Sequence, residues 1–317
     1  VSFRAMLAIL TSLIVSIWWG PRVIRWLIKM KVGDIPEFDH AALNELTADK
    51  KNTPTMGGIF IIGAVGLSAL LWCDLTNPFV QKGLILMVLL GFLGGWDDYL
   101  KLTAKIKHRS RDGLHMWEKL ILQIGWSVLI AWSLFRDFQG ADIKDGLHLW
   151  LPFYKYGLPL GYAWFLIMTV IVITGSSNAV NLSDGMDGLA AGCMAIVSLV
   201  FAGLCYLASE YMSYSQGLSW ANYLGLPQIA GAGELGIICA AMCGASLGFL
   251  WFNCHPAQVF MGDIGSLTLG GLIGYAAVVT RHELLLPIVG GVFVMEAVSV
   301  MIQVTYFKMT GGKRVFR

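Results

Sequence analysis

Nine apolar stretches, each near the length of a bilayer crossing, leave this chain few folds to choose from. They cover residues 5–27, 57–73, 82–96, 117–135, 159–176, 188–208, 233–252, 265–280 and 284–307. A spanning helix needs about 20 mostly apolar residues. The second, third and eighth runs are short by that measure, so their ends are the least sharply drawn. Lipid offers no partner to backbone N–H and C=O groups, so each run must pair its own, which dictates helix. Composition closes the soluble alternative: 56% of the 317 residues are hydrophobic and only 13% are charged, against about 25% charged in an ordinary soluble domain. The expected class is an all-α polytopic membrane protein with nine transmembrane helices, read as a single domain over residues 1–317. The six cysteines form no CxxC pair and most lie inside apolar runs, which argues against a disulfide framework or a zinc site.

The breaks between runs alternate in charge. Of the 22 Lys and Arg, all but Arg4, Lys82, Arg136, Lys144, Lys155 and Arg281 lie in or beside the breaks after the odd-numbered runs. Excess basic charge marks cytoplasmic loops, which places the N-terminus outside. Around the opposite breaks lie Trp150, Tyr154, Tyr156, Tyr162, Trp164, Trp220 and Tyr223, as an interfacial aromatic belt would. This assignment uses no acidic residue, yet it puts Asp97, Asp98, Asp184, Asp187 and Asp263 at one face.

Asp97-Asp98 ends the third run. Adjacent helical residues point about 100° apart, so the two acids are expected to serve different partners. The segment 178–188, NAVNLSDGMDG, holds two Asn, two Asp and two Gly, and helix capping explains only one or two of them. Asp184 and Asp187 are three apart, so a helical turn would set both on one side. Asp263 lies between Gly262 and Gly265, in backbone that lets a ligand come close. It is the best single candidate for a Mg²⁺ ligand, because Mg²⁺ favours a few carboxylates together with phosphate oxygens and water. Ser266 is placed to cap the following helix, and Phe260 to stack on a base. Lys50, Thr55 and the Gly57-Gly58 helix start suit an anion, as do Lys101 and Lys119. His255 reads as structural.

Taken together, these stretches resemble the polyprenyl-phosphate N-acetylhexosamine-1-phosphate transferases, closest to the peptidoglycan branch. The likeness rests on TPTMGG at 53–58, the acids at 97–98, NAVNLSDGMDGLA at 178–190, WFNCHPAQVFMGDIGSLTLGG at 251–271 and GGVFVMEAVSVMIQ at 290–303. It implies Mg²⁺-dependent transfer of phospho-MurNAc-pentapeptide from its UDP carrier to undecaprenyl phosphate, giving lipid I and UMP. It further implies a bacterial inner-membrane homodimer with its active site at the cytoplasmic face and no nucleic-acid partner. By motif match Asp97, Asp98 and Asp263 are the catalytic acids, with Asp263 on the metal. Asn181, Asp184, Asp187, Phe260 and Gly262 fall among the substrate contacts, as do Lys50, Thr55, Lys101 and Lys119. The chain opens on Val1 rather than Met and stops at Arg317 directly after a basic stretch, so it reads as truncated at both ends; the resemblance implies ten helices, with the tenth and a histidine-rich motif beyond Arg317. The alternatives are a related transferase that primes another envelope glycan and, from a different class, a secondary transporter. Against the latter, the acids sit at an interface and no inverted repeat is visible.

Overall fold

The computed structural model describes residues 1–30, 53–106, 113–152, 154, 156–209 and 220–311. The apolar runs become α1 (Ser2–Lys29), α2 (Gly58–Trp72), α3 (Pro78–Ile106), α4 (Met116–Gly140), α5 (Tyr162–Ser183), α6 (Leu189–Ser209), α8 (Ala232–Asn253), α9 (Gly262–Val279) and α11 (Gly291–Met309). Two short helices, α7 (Trp220–Leu224) and α10 (Leu286–Val289), sit between them. Among the described residues, eight helices are long and apolar enough to cross a membrane, and α2, at 15 residues, is the shorter ninth.

The boundaries depart from the sequence expectation where polar residues extend a helix beyond its apolar run. The third run does not end at the acids: α3 continues to Ile106, so Asp97, Asp98 and Lys101 are helical. α5 likewise continues to Ser183 and takes Asn178 and Asn181 onto its last turns. α9 begins at Gly262, so Asp263 lies in its first turn. The ninth run breaks at Gly290. Besides helix, the described residues hold a two-residue antiparallel pairing of His148–Leu149 with Leu158–Pro159.

α8 and α9 are the most enclosed helices. Nearly every position of α8 is buried, as a helix apolar on all faces requires. α8 packs on α1 and α6, and α9 packs on α5 and α3. The α3–α9 crossing depends on Gly94, where a Cβ would collide with the backbone of Asp263. Small residues are what allow such approach between helices in lipid. At the far end of α9 the Tyr275 hydroxyl donates to Phe79 O at 2.8 Å. Just beyond it, fully buried Arg281 pairs with Glu283 at 2.7 Å and donates through Nε to His148 O at 2.9 Å. This fastens the strand pair beneath the helix end opposite the acids.

Candidate active site

The first N–H groups of a helix lack intrahelical partners. At α9 the residue before the helix, Met261, provides no side-chain cap. Two carboxylates from distant segments answer instead. Asp98 accepts from Asp263 N at 3.3 Å and from Ile264 N at 3.2 Å, and Asp184 accepts from Gly262 N at 3.0 Å. Negative charge is favoured there by the helix dipole. Gly94 lies one turn before Asp98 on α3, so the close crossing at Gly94 delivers the Asp98 carboxylate to the end of α9. Gly262 has φ 74°, and a Cβ on it would stand 2.8 Å from Asp98 Oδ2. The position admits only glycine without rearrangement.

Asp97 turns elsewhere, as adjacent helical acids should. It is fully buried and accepts from Leu114 N at 2.7 Å. Its other oxygen lies 2.8 Å from Lys101 Nζ and 2.5 Å from Lys119 Nζ. Both ammonium groups also reach Asp263 Oδ2, at 3.1 and 2.6 Å. Asn181 Nδ2 donates to Asp263 Oδ1 and to Ser266 Oγ, each at 2.9 Å. Lys101, Lys119 and Asn181 thus converge on one carboxylate from α3, α4 and α5. Burial raises the Asp184 carboxyl well above the usual carboxylate range. The Gly262 N–H opposes that rise, and the charges of Asp263 and Asp98 add to it.

Carboxylate oxygens of Asp97, Asp98 and Asp263 lie within 4.8 Å of one another. Three carboxyl groups face two ammoniums in a partly desolvated site, so acids outnumber the side-chain cations there. All the donors are hard oxygens, the set that suits Mg²⁺ rather than zinc or copper. The residues therefore fit a divalent metal ion.

Other expectations fare differently. Asp184 and Asp187 do not share a side, because 184–188 is a turn between α5 and α6 and not a helical turn. Asp187 faces the 253–257 loop, with Oδ2 3.1 Å from His255 Nδ1 and 3.4 Å from Ala257 N. Ser266 does not cap α9; its hydroxyl donates back to Gly262 O. Thr55 and Phe260 are half-buried in two strands of chain that lie side by side, with Phe260 N donating to Pro54 O and Gly57 N to Phe260 O, both at 2.9 Å. Lys50 lies outside the described residues.

Two contributors escaped the sequence reading. Buried Asn253 accepts from Gly188 N at 3.0 Å and donates to Val259 O at 2.9 Å, clamping the 184–188 turn to the loop before α9. Met56, at φ 70°, holds a strained backbone beside Gly262. The Asn after Phe252 was a visible signal for the first; nothing marks the second.

The model of glycosyl transferase family 4 matches residues 80–281, and phospho-N-acetylmuramoyl-pentapeptide-transferase signature 1 matches residues 50–62. The phospho-N-acetylmuramoyl-pentapeptide-transferase of Desulfotalea psychrophila is 43% identical over all 317 residues, which cover 83% of that protein. The enzyme of the same name from Solidesulfovibrio magneticus is 43% identical with the same coverage. The chain therefore belongs to the phospho-N-acetylmuramoyl-pentapeptide-transferases, multi-pass membrane enzymes of glycosyl transferase family 4.

Proposed function

We propose that this chain transfers phospho-MurNAc-pentapeptide from UDP-MurNAc-pentapeptide to undecaprenyl phosphate, with Mg²⁺, at the cytoplasmic face of a bacterial inner membrane. The observation that carries this reading is the meeting of Asp97, Asp98, Asp263, Lys101 and Lys119 at the N-terminus of α9. Both substrates are anions, so the chief requirement is charge compensation at the reacting phosphates. Lys101 and Lys119 would hold phosphate oxygens. Asp263 and Asp97 would hold the metal ion, with Asp98 beside them fixing the end of α9. When bound, Mg²⁺ supplies charge neutralisation for the diphosphate and the departing UMP.

A phosphate monoester has its second pKa near about 6, so the lipid phosphate is largely a dianion at neutral pH and needs no strong base. In a single displacement, an oxygen of that phosphate bonds to the sugar-bearing phosphorus as the bond to the UMP oxygen breaks. The products are lipid I and UMP. Support for a lipid acceptor comes from an apolar cavity of 240 Å³ between α5 and α11, lined among others by Ile171, Gly175, Ala179, Phe293, Ala297 and Met301. It runs along the same helix that presents Asn181. A homodimer belongs to the same proposal, and cross-linking in native membranes tests it.

UMP release from UDP-MurNAc-pentapeptide and undecaprenyl phosphate in detergent, with and without Mg²⁺, is the direct test. Asp263→Ala should abolish turnover while the protein remains folded. Turnover without divalent metal would refute the metal dependence. A stoichiometric burst of UMP without lipid acceptor would replace the single displacement with a covalent aspartyl phosphate.

A further inference from the structure

The cytoplasmic end of α4 is held in an unusual way. The helix carries Lys119 in its first turn, yet most of its surface points outward: Met116, Trp117, Ile121, Leu122, Ile124, Val128 and Leu129 are all exposed. Its buried face reads Gln123, Ser127, Ile130, Ala131, Leu134 and Phe138. The first fully buried apolar residue of the helix is therefore Ile130, with half-buried Trp126 packing on the core one turn earlier. In the turns nearest the acids the buried residues are Gln123 and Ser127, both polar.

Those residues are hydrogen-bonded across helices. Gln123 Oε1 accepts from Asn178 Nδ2 at 2.7 Å, and the same Asn178 amide donates to Thr174 O at 2.8 Å. Gln123 Nε2 donates to Ser177 Oγ at 3.3 Å, and Ser177 Oγ donates to Leu267 O at 2.8 Å. Ser127 and Thr174 hydroxyls lie 3.5 Å apart one turn deeper. Gln123 thus joins α4 to α5 directly, and to α9 through Ser177.

The positions in sequence give this clasp its consequence. Gln123 is one turn from Lys119, Asn178 is three residues from Asn181, and Leu267 is four residues from Asp263. Residues three and four apart share a helix face. The clasp lies directly beneath the three side chains that meet at Asp263 Oδ1 and Oδ2.

We propose that Gln123 is a positioning residue for the transferase reaction: it sets the register of α4 against α5 and α9 and so holds Lys119 on Asp97 and Asp263. It touches neither substrate nor metal and acts through Lys119. Interhelical hydrogen bonds in membranes contribute little to global stability, whereas a misplacement of about 1 Å near reacting groups costs up to roughly 100-fold in rate. Loss of the clasp is therefore a kinetic lesion more than a folding one.

The test compares Gln123→Leu and Gln123→Glu in the full chain. Leucine removes both bonds; glutamate keeps the acceptor toward Asn178. Gln123→Leu should lower kcat by roughly 10- to 100-fold, with KM for the nucleotide sugar nearly unchanged. Gln123→Glu should recover most of the rate. In the Lys119→Gln background, Gln123→Leu should have little further effect, while in Lys101→Gln its full effect should persist. Hydrogen exchange over 116–123 should rise in Gln123→Leu whatever the turnover. Wild-type kcat and exchange in Gln123→Leu would overturn the proposal, as would effects that multiply with Lys119→Gln. An inactive wild type would instead count against the assigned substrates, while the exchange measurement still judges the clasp.

Discussion

Gly262→Ala is the sharpest probe of how this site is assembled, because it adds one methyl group and removes nothing. The residue sits at φ 74°, and its Cβ would stand 2.8 Å from Asp98 Oδ2 and 3.0 Å from Met56 N. Left-handed backbone costs an L-residue roughly 1–2 kcal/mol, while the reduced freedom of the unfolded chain returns about 0.4–1 kcal/mol. The net backbone penalty is about 1 kcal/mol. Ordinary carbon–oxygen contact begins several tenths of an ångström beyond 2.8 Å, so the Asp98 carboxylate must retreat by about that much. Its bonds to Asp263 N and Ile264 N are already 3.3 and 3.2 Å long, and further stretching takes them out of hydrogen-bond range. Asp263 then loses its fixed position. The expected outcome in detergent is a fall in Tm of about 2–4 °C with kcat lowered on the order of 10- to 100-fold. Gly192→Ala is the matched control, since a Cβ on Gly192 meets nothing within 4 Å, and it should raise or preserve stability and keep full activity. Wild-type rate and Tm in Gly262→Ala would show that neither the backbone strain nor the Asp98 cap matters.

Three further outcomes follow from the same geometry. Lys119→Met removes an ammonium 2.5 and 2.6 Å from the Asp97 and Asp263 oxygens; calorimetric Mg²⁺ affinity should rise by at least roughly tenfold even as turnover falls, and weaker Mg²⁺ binding would contradict the shared-charge picture. Gly94→Ala forces a Cβ into the Asp263 backbone and should cost about 1–3 kcal/mol of stability, read as a lowered Tm; no change would mean that the α3–α9 crossing is loose. His282 is buried, and burial pushes its pKa from 6.5 down to about 4, against a smaller opposing pull from the Thr280 backbone. Between those values the unfolded chain binds the extra proton, so stability is full above pH about 6.5 and is lost as pH falls toward 4, by up to about 3 kcal/mol. His282→Gln should flatten that part of the stability–pH curve, and an unchanged slope would assign it to other groups.

The apolar runs made helices unavoidable, because lipid leaves the backbone no other way to pair its polar groups. Their spacing was enough to bring Asp97, Asp98, Asp184 and Asp263 toward one end of the bundle, since a count of crossings is local information. The signature stretches were likewise readable, because each is a continuous string. What the string could not show was which acid does what. Asp98 reaches α9 from 165 residues away and Asp184 from 78, so the cap of that helix has no signature beside it. The separation of Asp187 from Asp184 was also hidden, since the turn at 184–188 is held by Asn253 from another loop. Helix ends were misplaced where Asp, Asn and Lys continue a helix past its apolar part: their polarity reads as a loop, but in the fold each finds a partner on a neighbouring helix. Periodicity and hydropathy are properties of one segment, whereas charge pairing and helix capping here depend on side chains that only packing brings within about 3 Å.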